Sequence, residues 1–402
     1  MAPTAAFNPP SPTLAGKPSV PVWIPPPVTQ EKHNSAELKS IDLSLLDSED
    51  PAVVEELIQK VKNYGVSLEQ LHRQFALAQY LYNNISEEDK ERLLFHPETG
   101  VWSGYKHPYG FKRHRRPPDG IEQFNWYTPE WESPSTRVPH CLHPFIDEIS
   151  AFCTYLTQSV NRRLLTLFSR VLELPDDYLW THVQSHGSST GEGFFGHALF
   201  RPPPQETLSR SKGIKMHGHT DFGLTILLFS VPVSCLQIWG RDEQWYYVPY
   251  RPGALVVNLG DTLEIVSGGA FQGDPPSCLI VRWGGCGWGL RPVSFCHVGG
   301  SGSRVGGNRM CLLIFPGCCF LESPLIQREG CVEEQGVYKE FKNLTVQGKL
   351  VPTNREWREI QIATCTDPTY SVRNAVGAEQ VVIEGKIMHQ REYMGVKVVL
   401  PV

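Results

Sequence analysis

No apolar run in this sequence approaches the roughly 20 residues needed to cross a bilayer; the longest, such as residues 224–229, have the length of a buried strand. Surplus charge is lacking too. A net charge of −5 over 402 residues sets up no field that would hold nucleic acid or an anionic membrane. Residues 1–27 have neither the basic start nor the apolar block of a secretory leader, so a cytosolic protein is expected, with no membrane or nucleic-acid partner. A regular, even-numbered cysteine framework is also missing. The 11 cysteines are odd in number, which argues for reduced thiols over disulfides, and six of them crowd between Cys278 and Cys319. There is no internal repeat.

What remains is an ordinary globular composition, 41% apolar and 20% charged, long enough for one large core or two closely packed domains. Residues 1–39 read as a Pro-rich flexible tail, with Pro25-Pro26-Pro27 favouring the polyproline conformation. Residues 40–175 read as helical. Residues 41–46 alternate like a short strand, a helix starts near Asp50-Pro51, a second at Ser67 with Gln70, and a third at Ser86 with Asp89. Residues 100–139 look irregular and carry the basic run Lys112-Arg113-His114-Arg115-Arg116, taken as a solvated loop. Residues 144–174 bear an apolar stripe, from Phe145 and Ile149 through Phe152, Leu156, Val160 and Leu164 to Leu174, which predicts a core helix.

From Tyr178 the texture changes to short apolar or alternating runs separated by Gly and Pro. Residues 193–200, 224–229, 235–239, 245–249, 255–259 and 263–266 predict strands of an antiparallel sandwich or barrel within a 176–330 domain. Residues 331–402 form a C-terminal extension with a helix near 354–362 and a hairpin from 380–386 and 395–400.

The chemistry concentrates in Met216-His217-Gly218-His219-Thr220-Asp221-Phe222-Gly223. An imidazole and a carboxylate two residues apart on an extended strand project to the same side and can grip one metal ion. His217 reads as a packed neighbour. The third ligand should be a His on another strand, and His297 or His389 can supply it; His297 is better placed, ahead of the apolar run after Arg309. Two His and one carboxylate leave half of an iron's coordination sphere open to a cosubstrate and dioxygen. An Arg beyond them offers a planar fork for a carboxylate.

His219-Thr220-Asp221, the turn Gly260-Asp261-Thr262-Leu263-Glu264, Ser267-Gly268-Gly269 and His297-Val298 ahead of Arg309 together resemble the iron(II)/2-oxoglutarate-dependent oxygenases of the isopenicillin N synthase-like superfamily. Ile41-Asp42-Leu43 and Tyr64-Gly65-Val66-Ser67 resemble that family's helical N-terminal region. The resemblance covers roughly residues 40–330 and implies an α+β fold. Its centre is a distorted double-stranded β-helix, or jelly roll, with the helical N-terminal region packed on it. The same resemblance implies that His219, Asp221 and His297 bind Fe(II), and that Arg309 pairs with the distal carboxylate of 2-oxoglutarate. Cys311 stands where the family's Arg-x-Ser motif has a hydroxyl, and a thiol is a weaker donor there. No catalytic residue is implied beyond the metal centre. The resemblance also implies that dioxygen is the oxidant, that the keto acid leaves as succinate, and that a small organic substrate is hydroxylated, desaturated or rearranged, in specialised metabolism; a monomer is expected.

The sequence departs from the family pattern in three places. Phe200-Arg201-Pro202 stands where the family has a Tyr before a Pro. An aromatic-rich strand expected between residues 61 and 64 is missing. Residues 272–295 form an anomalous insert, dense in Gly, Trp and Cys, that reads as a retained intron or a surface insertion. An oxidase or cupin-like metalloenzyme without 2-oxoglutarate, or a catalytically silent product of a faulty gene model, therefore stays open as an alternative. Asp261 and Glu264 read as turn and strand structure, and Cys318-Cys319 as a core pair.

Overall fold

In a computed structural model the residues described are 12–36, 68–96, 103–108, 121–127, 137–184, 193–200, 214–219, 221, 223–229, 231–239, 244–252, 255–260, 262–263, 267, 293–296, 309–315, 346, 379–383, 386–393 and 396–401. Helix α1 (Leu68–Asn84) starts one residue after the Ser67 signal and buries Leu71, Phe75, Leu77, Ala78 and Leu81. Helix α2 (Glu87–Arg92) is capped as its sequence predicts: the Ser86 side chain accepts from the Asp89 backbone N–H at 3.1 Å. The long apolar stripe forms one continuous helical rod. It opens with a 3-10 turn (His140–Phe145), passes through α3 (Ile146–Thr154) and a π-helical turn (Tyr155–Asn161), and ends in α4 (Arg162–Val171). Ile149, Phe152, Leu156, Leu164 and Phe168 on it are fully or almost fully buried.

Two sheets carry the rest of the core. One has six strands in the order β1 (Gly104–Lys106), β2 (Ile121–Tyr127), β3 (Phe194–Phe200), β10 (Arg309–Phe315), β5 (Thr225–Phe229), β8 (Leu255–Leu259). The other has four, in the order β4 (Ile214–His219), β9 (Val293–Cys296), β6 (Leu236–Trp239), β7 (Trp245–Tyr247). From β3 to β10 the chain passes back and forth between the sheets, with β6 and β7 the one consecutive pair that stays in the same sheet. A third sheet, β11 (Glu379–Ile383), β12 (Lys386–Tyr393) and β13 (Val396–Pro401), takes in the expected C-terminal hairpin and adds a strand to it.

The six-stranded sheet has two different faces, set by the two-residue alternation of its strands. On one, Phe124, Trp126, Phe195, Leu199, Leu227, Phe229 and Leu259 join the helices in the main core. On the other, Ile121, Ala198, Phe200, Leu228 and Val256 form a separate cluster with Leu236 of the four-stranded sheet. That second face is therefore the inner one, looking across to the other sheet.

Several expectations need correction. The Pro-rich tail is packed, not free, over residues 12–36. Trp23 is buried and stacks on Phe75 at 4.6 Å, Lys17 pairs with Asp147 at 2.5 Å, and Ala36 and Asn34 exchange backbone hydrogen bonds with Tyr247 at the open edge of β7. Prolines suit this role because the strap follows an extended path with few N–H groups to satisfy. The region 100–139, read as irregular, contributes β1 and β2. Its strand character is hidden because β2 buries side chains on both faces, so its sequence lacks a clean polar alternation. Thr262 and Leu263 lie in a helical turn, not at the start of a strand. Residues 293–295, the end of the insert, form most of β9 between β4 and β6 and are not a surface loop.

Other expectations lie outside the described residues. These are the strand at 41–46, the helix from Asp50, the Tyr64-Gly65-Val66-Ser67 turn, the basic run 112–116, Arg201-Pro202, Asp261, Glu264, Cys318-Cys319 and the helix near 354–362. Cys141, Cys153 and Cys235 are free thiols. Among the described residues no helix is long and apolar enough to cross a membrane.

Candidate metal and cosubstrate site

His219 closes strand β4, and Asp221 follows in the short connection to β5. The Asp221 carboxylate is half-buried and is held from the six-stranded sheet: Asn258 Nδ2 donates to its Oδ2 at 2.8 Å. Asn258 is buried and lies two residues along β8 from Val256, whose partner on β5 is Leu228, so it shares the inner face of that pair. A neutral amide is suited to this place. It fixes one carboxylate oxygen by a charge-assisted hydrogen bond without neutralising the charge a metal needs.

The turn after β8 is pressed against the same connection. Gly260 donates its N–H to the Leu224 carbonyl at 3.1 Å. A Cβ at Gly260 would stand 2.1 Å from the Gly223 carbonyl oxygen and 2.7 Å from that of Asp221. Glycine is thus required for close backbone approach, and the motif beginning at Gly260 is in contact with the carboxylate's own backbone. The sequence signals that looked like two separate motifs meet here.

The remaining predicted residues fall in three places. The register of β10 sets Arg309 opposite Phe200 and Cys311 opposite Ala198, and directly paired residues share a face. Both positions therefore belong to the inner face of the six-stranded sheet. His389 lies on β12 in the C-terminal sheet, which pairs with neither β4 nor its neighbours. His297 itself lies outside the described residues. The residue before it, Cys296, is paired with Ile214, whereas His219 is paired with Val293. The chain thus leaves β9 about 10 Å along the strand from the position opposite His219.

Among the described residues no cluster of three metal-donor side chains is formed. The donor types of His219 and Asp221, an imidazole and a carboxylate oriented by a hydrogen bond, are nevertheless those that a divalent iron takes. Asn258 was missed by sequence reasoning. Its signal was present, as an amide interrupting the otherwise apolar run Leu255-Val256-Val257-Asn258-Leu259.

Comparison with known proteins agrees with this geometry. The 2OG-Fe(II) oxygenase superfamily matches residues 197–275, a span that holds His219, Asp221, Asn258 and Gly260 and stops just inside the insert. A 1-aminocyclopropane-1-carboxylate oxidase homolog of Arabidopsis thaliana is 31% identical over 131 residues, covering 32% of this chain and 31% of that protein. A 2-oxoglutarate-dependent dioxygenase of a Dothideomycetidae species is 27% identical over 257 residues, covering 60% of this chain and 76% of the relative. The chain therefore spans from under a third to about three quarters of the length of these relatives. Among solved structures, a full-length Neurospora crassa protein in complex with alpha-KG has a similar fold, with TM-score 0.54 and 16% identity, covering 72% of this chain and 88% of that one.

Proposed function

We propose, for a chain that belongs to the 2OG-Fe(II) oxygenase superfamily, that it hydroxylates, desaturates or rearranges a small organic substrate, in specialised metabolism, using Fe(II), 2-oxoglutarate and dioxygen. The observation that carries this reading is the Asn258 to Asp221 hydrogen bond beside the strand end that bears His219, with Gly260 closing on the same loop. On this reading the two interleaved sheets are a double-stranded β-helix, with the rod of residues 140–171 and α1 as its helical support. His219 and Asp221 hold the metal. Arg309 receives the distal carboxylate of the keto acid, and Cys311 contributes a weak donor beside it.

When bound, iron(II) and the keto acid would supply oxidation of a substrate C–H bond by dioxygen, coupled to decarboxylation of 2-oxoglutarate to succinate. The chain's own tasks are simpler. Asn258 orients a carboxylate, the inner apolar cluster of Ile121, Ala198, Phe200 and Leu228 excludes water, and the strap of residues 12–36 covers the free edge of β7.

The test is anaerobic titration of the purified full chain with Fe(II) and 2-oxoglutarate, read by the visible charge-transfer band of the chelate, followed by succinate release in air. Absence of both metal and keto-acid binding would sink the reading. The third donor on this reading is His297, which follows β9. His297→Ala tests it: a loss of Mn(II) affinity of about tenfold or more supports His297 as a ligand, and unchanged affinity removes it from the site.

A further inference from the structure

Two wide turns of the helical layer each end on a polar residue, and the two residues are bonded to one another. The rod's π-helical turn (Tyr155–Asn161) closes at Asn161. A second π-helical turn (Leu179–Val183) is closed by Gln184, whose backbone N–H donates to the Leu179 carbonyl at 2.8 Å. Turns of this kind are rare and gather at functional sites. Asn161 stands one π repeat after Leu156 and so comes round to the same face of the rod; neither residue has any exposed surface. An amide on a core face is destabilising unless its hydrogen-bonding groups are met.

They are met by a chain of side chains that leads out of the helical layer into the six-stranded sheet. Asn161 Nδ2 donates to Gln184 Oε1 at 3.3 Å, and Asn161 Oδ1 accepts from the Thr225 hydroxyl at 2.5 Å. Thr225, also fully buried, is the first residue of β5. Its strand partner is Leu259 of the main core, so the Thr225 side chain takes the helix-facing side of the sheet.

The start of β5 is held by less backbone pairing than the rest of that strand. Strand β10 pairs with β5 at Leu227 and Leu228, so among the described residues Thr225 and Ile226 have a strand partner only in β8, the last strand of the sheet. The candidate site hangs on this corner. Ile226 is paired with Asn258, the donor to Asp221, and the Leu224 carbonyl accepts the Gly260 N–H. A displacement of Thr225 would therefore move the Asn258 amide and the Gly260 contact relative to the Asp221 carboxylate. The bond to Asn161 supplies the hold that a second strand gives elsewhere in β5.

We propose that Asn161 and Thr225 are positioning residues of the metal site. Their hydroxyl-to-amide bond fixes the start of β5 and, through Asn258 and Gly260, the carboxylate of Asp221. Neither is a ligand; both act through Asp221. The assignment rests on the oxygenase reading for the metal, but not for the loop that Thr225 anchors.

Thr225→Val and Thr225→Ser separate positioning from packing. Val keeps the shape and deletes the hydroxyl, leaving Asn161 Oδ1 without its donor, whereas Ser keeps the hydroxyl and deletes a methyl; both lower stability. In the full chain without oxygen, Mn(II) binding is read from the loss of the free-ion EPR signal. The Kd should rise about fivefold or more in Thr225→Val and Asn161→Leu and stay within about twofold of the parent in Thr225→Ser. Leu81→Ala, a buried main-core variant of α1 that also loses stability, should stay within about twofold too. A second measurement needs no metal: amide hydrogen exchange in peptides spanning residues 221–226 should quicken about fivefold or more in Thr225→Val, but not in Thr225→Ser or Leu81→Ala. If Thr225→Val does not fold, Gln184→Leu, one bond further from the loop, should raise the Kd about threefold. Affinity that follows stability instead of the hydroxyl, or exchange that is unchanged in Thr225→Val, overturns the proposal. If the parent chain binds no Mn(II) but the exchange follows the hydroxyl, the oxygenase reading fails and Thr225 remains the anchor of the loop.

Discussion

The two faces of the six-stranded sheet are built from the same strands, one residue apart, and they differ in what their polar groups do. On the helix-facing side polar groups are few and turned toward one another. Thr225 donates to Asn161 at 2.5 Å, Asn161 donates to Gln184 at 3.3 Å, and the Tyr82 hydroxyl donates to the His197 carbonyl. On the inner side Asn258 lies beside a small apolar cluster and is engaged by a carboxylate from the neighbouring loop. The helix side is a finished core, closed by side chains of the same chain. The inner side presents its amide to a carboxylate, a donor of the type that metals take.

That contrast makes a sharp forecast: apart from Asn161, Gln184 and Thr225, substitutions on the helix side should change stability and leave ligand affinity alone, and inner-side substitutions should do the reverse. The largest effect should come from Gly260→Ala, which touches both. Its Cβ forces the Asp221 to Gly223 backbone aside, so stability should fall by about 1–3 kcal/mol and Mn(II) affinity should be lost as well. Denaturant unfolding with and without metal measures both quantities. Normal metal binding would mean that the loop can yield without moving the carboxylate.

Next in size is Asn258→Ala. Without its donor the Asp221 carboxylate loses its fixed orientation, and metal affinity should weaken by about 10- to 100-fold with a stability change of no more than about 1.5 kcal/mol. Asn258→Asp should be worse for folding, since it sets a second carboxylate beside the first. A metal affinity unaltered in Asn258→Ala would remove this residue from the site.

On the helix side the informative residue is His197. It is fully buried, its Nδ1 accepts from Trp126 Nε1 at 3.3 Å, and its Nε2 has no hydrogen-bond partner among the described residues. Because an indole N–H can only donate, the ring carries its proton on Nε2 and is neutral. Burial pushes its pKa down to about 3 from an ordinary 6.5. The unfolded chain therefore binds a proton that the folded chain refuses. The stability this gives is fully present above pH 6.5 and drains away as pH falls toward 3, by up to about 1.4 kcal/mol per pH unit. At about pH 5 the loss is about 2 kcal/mol. His197→Met should flatten this part of the pH profile without altering metal affinity at about pH 7.5. An unchanged slope would show that some other group carries it.

The smallest effect expected is that of Tyr105→Phe, in the main core. It removes a donor to the buried Glu122 carboxylate and should cost about 1–2 kcal/mol, with no change in Mn(II) affinity. A shift in that affinity would mean that the two faces communicate through the sheet, and the division would fail.

Much of this was legible in the sequence. The helix signals at Ser67 and Ser86, most of the apolar stripe of 144–174, and five of the six strands expected from residue 193 onward sit where capping residues, apolar runs and turn signals put them, because those signals are local in the chain. The strands of 100–139 were not legible, since β2 is buried on both faces with polar residues among its buried positions, which erases the alternation. The packed state of the proline strap was hidden for another reason. Its anchors, Trp23 on Phe75 and Asn34 with Ala36 on Tyr247, are contacts over long sequence separations, and local composition carries no record of them.

By itself the sequence determined the kind of chemistry: an imidazole and a carboxylate two residues apart, a Gly-Asp turn and an Arg on an apolar strand constrain the donor set whatever surrounds them. Only the tertiary structure decided which of these meet. Strand pairing brings Asn258 and Gly260 onto the Asp221 loop, sets Arg309 opposite Phe200 and Cys311 opposite Ala198, and pairs Cys296 with Ile214 and Val293 with His219. Packing of the rod on the sheet also brings Asn161 to Thr225. The physical reason is that register is a property of two strands at once. A one-residue change of pairing would exchange the two faces of the sheet, and no single strand's sequence specifies its partner.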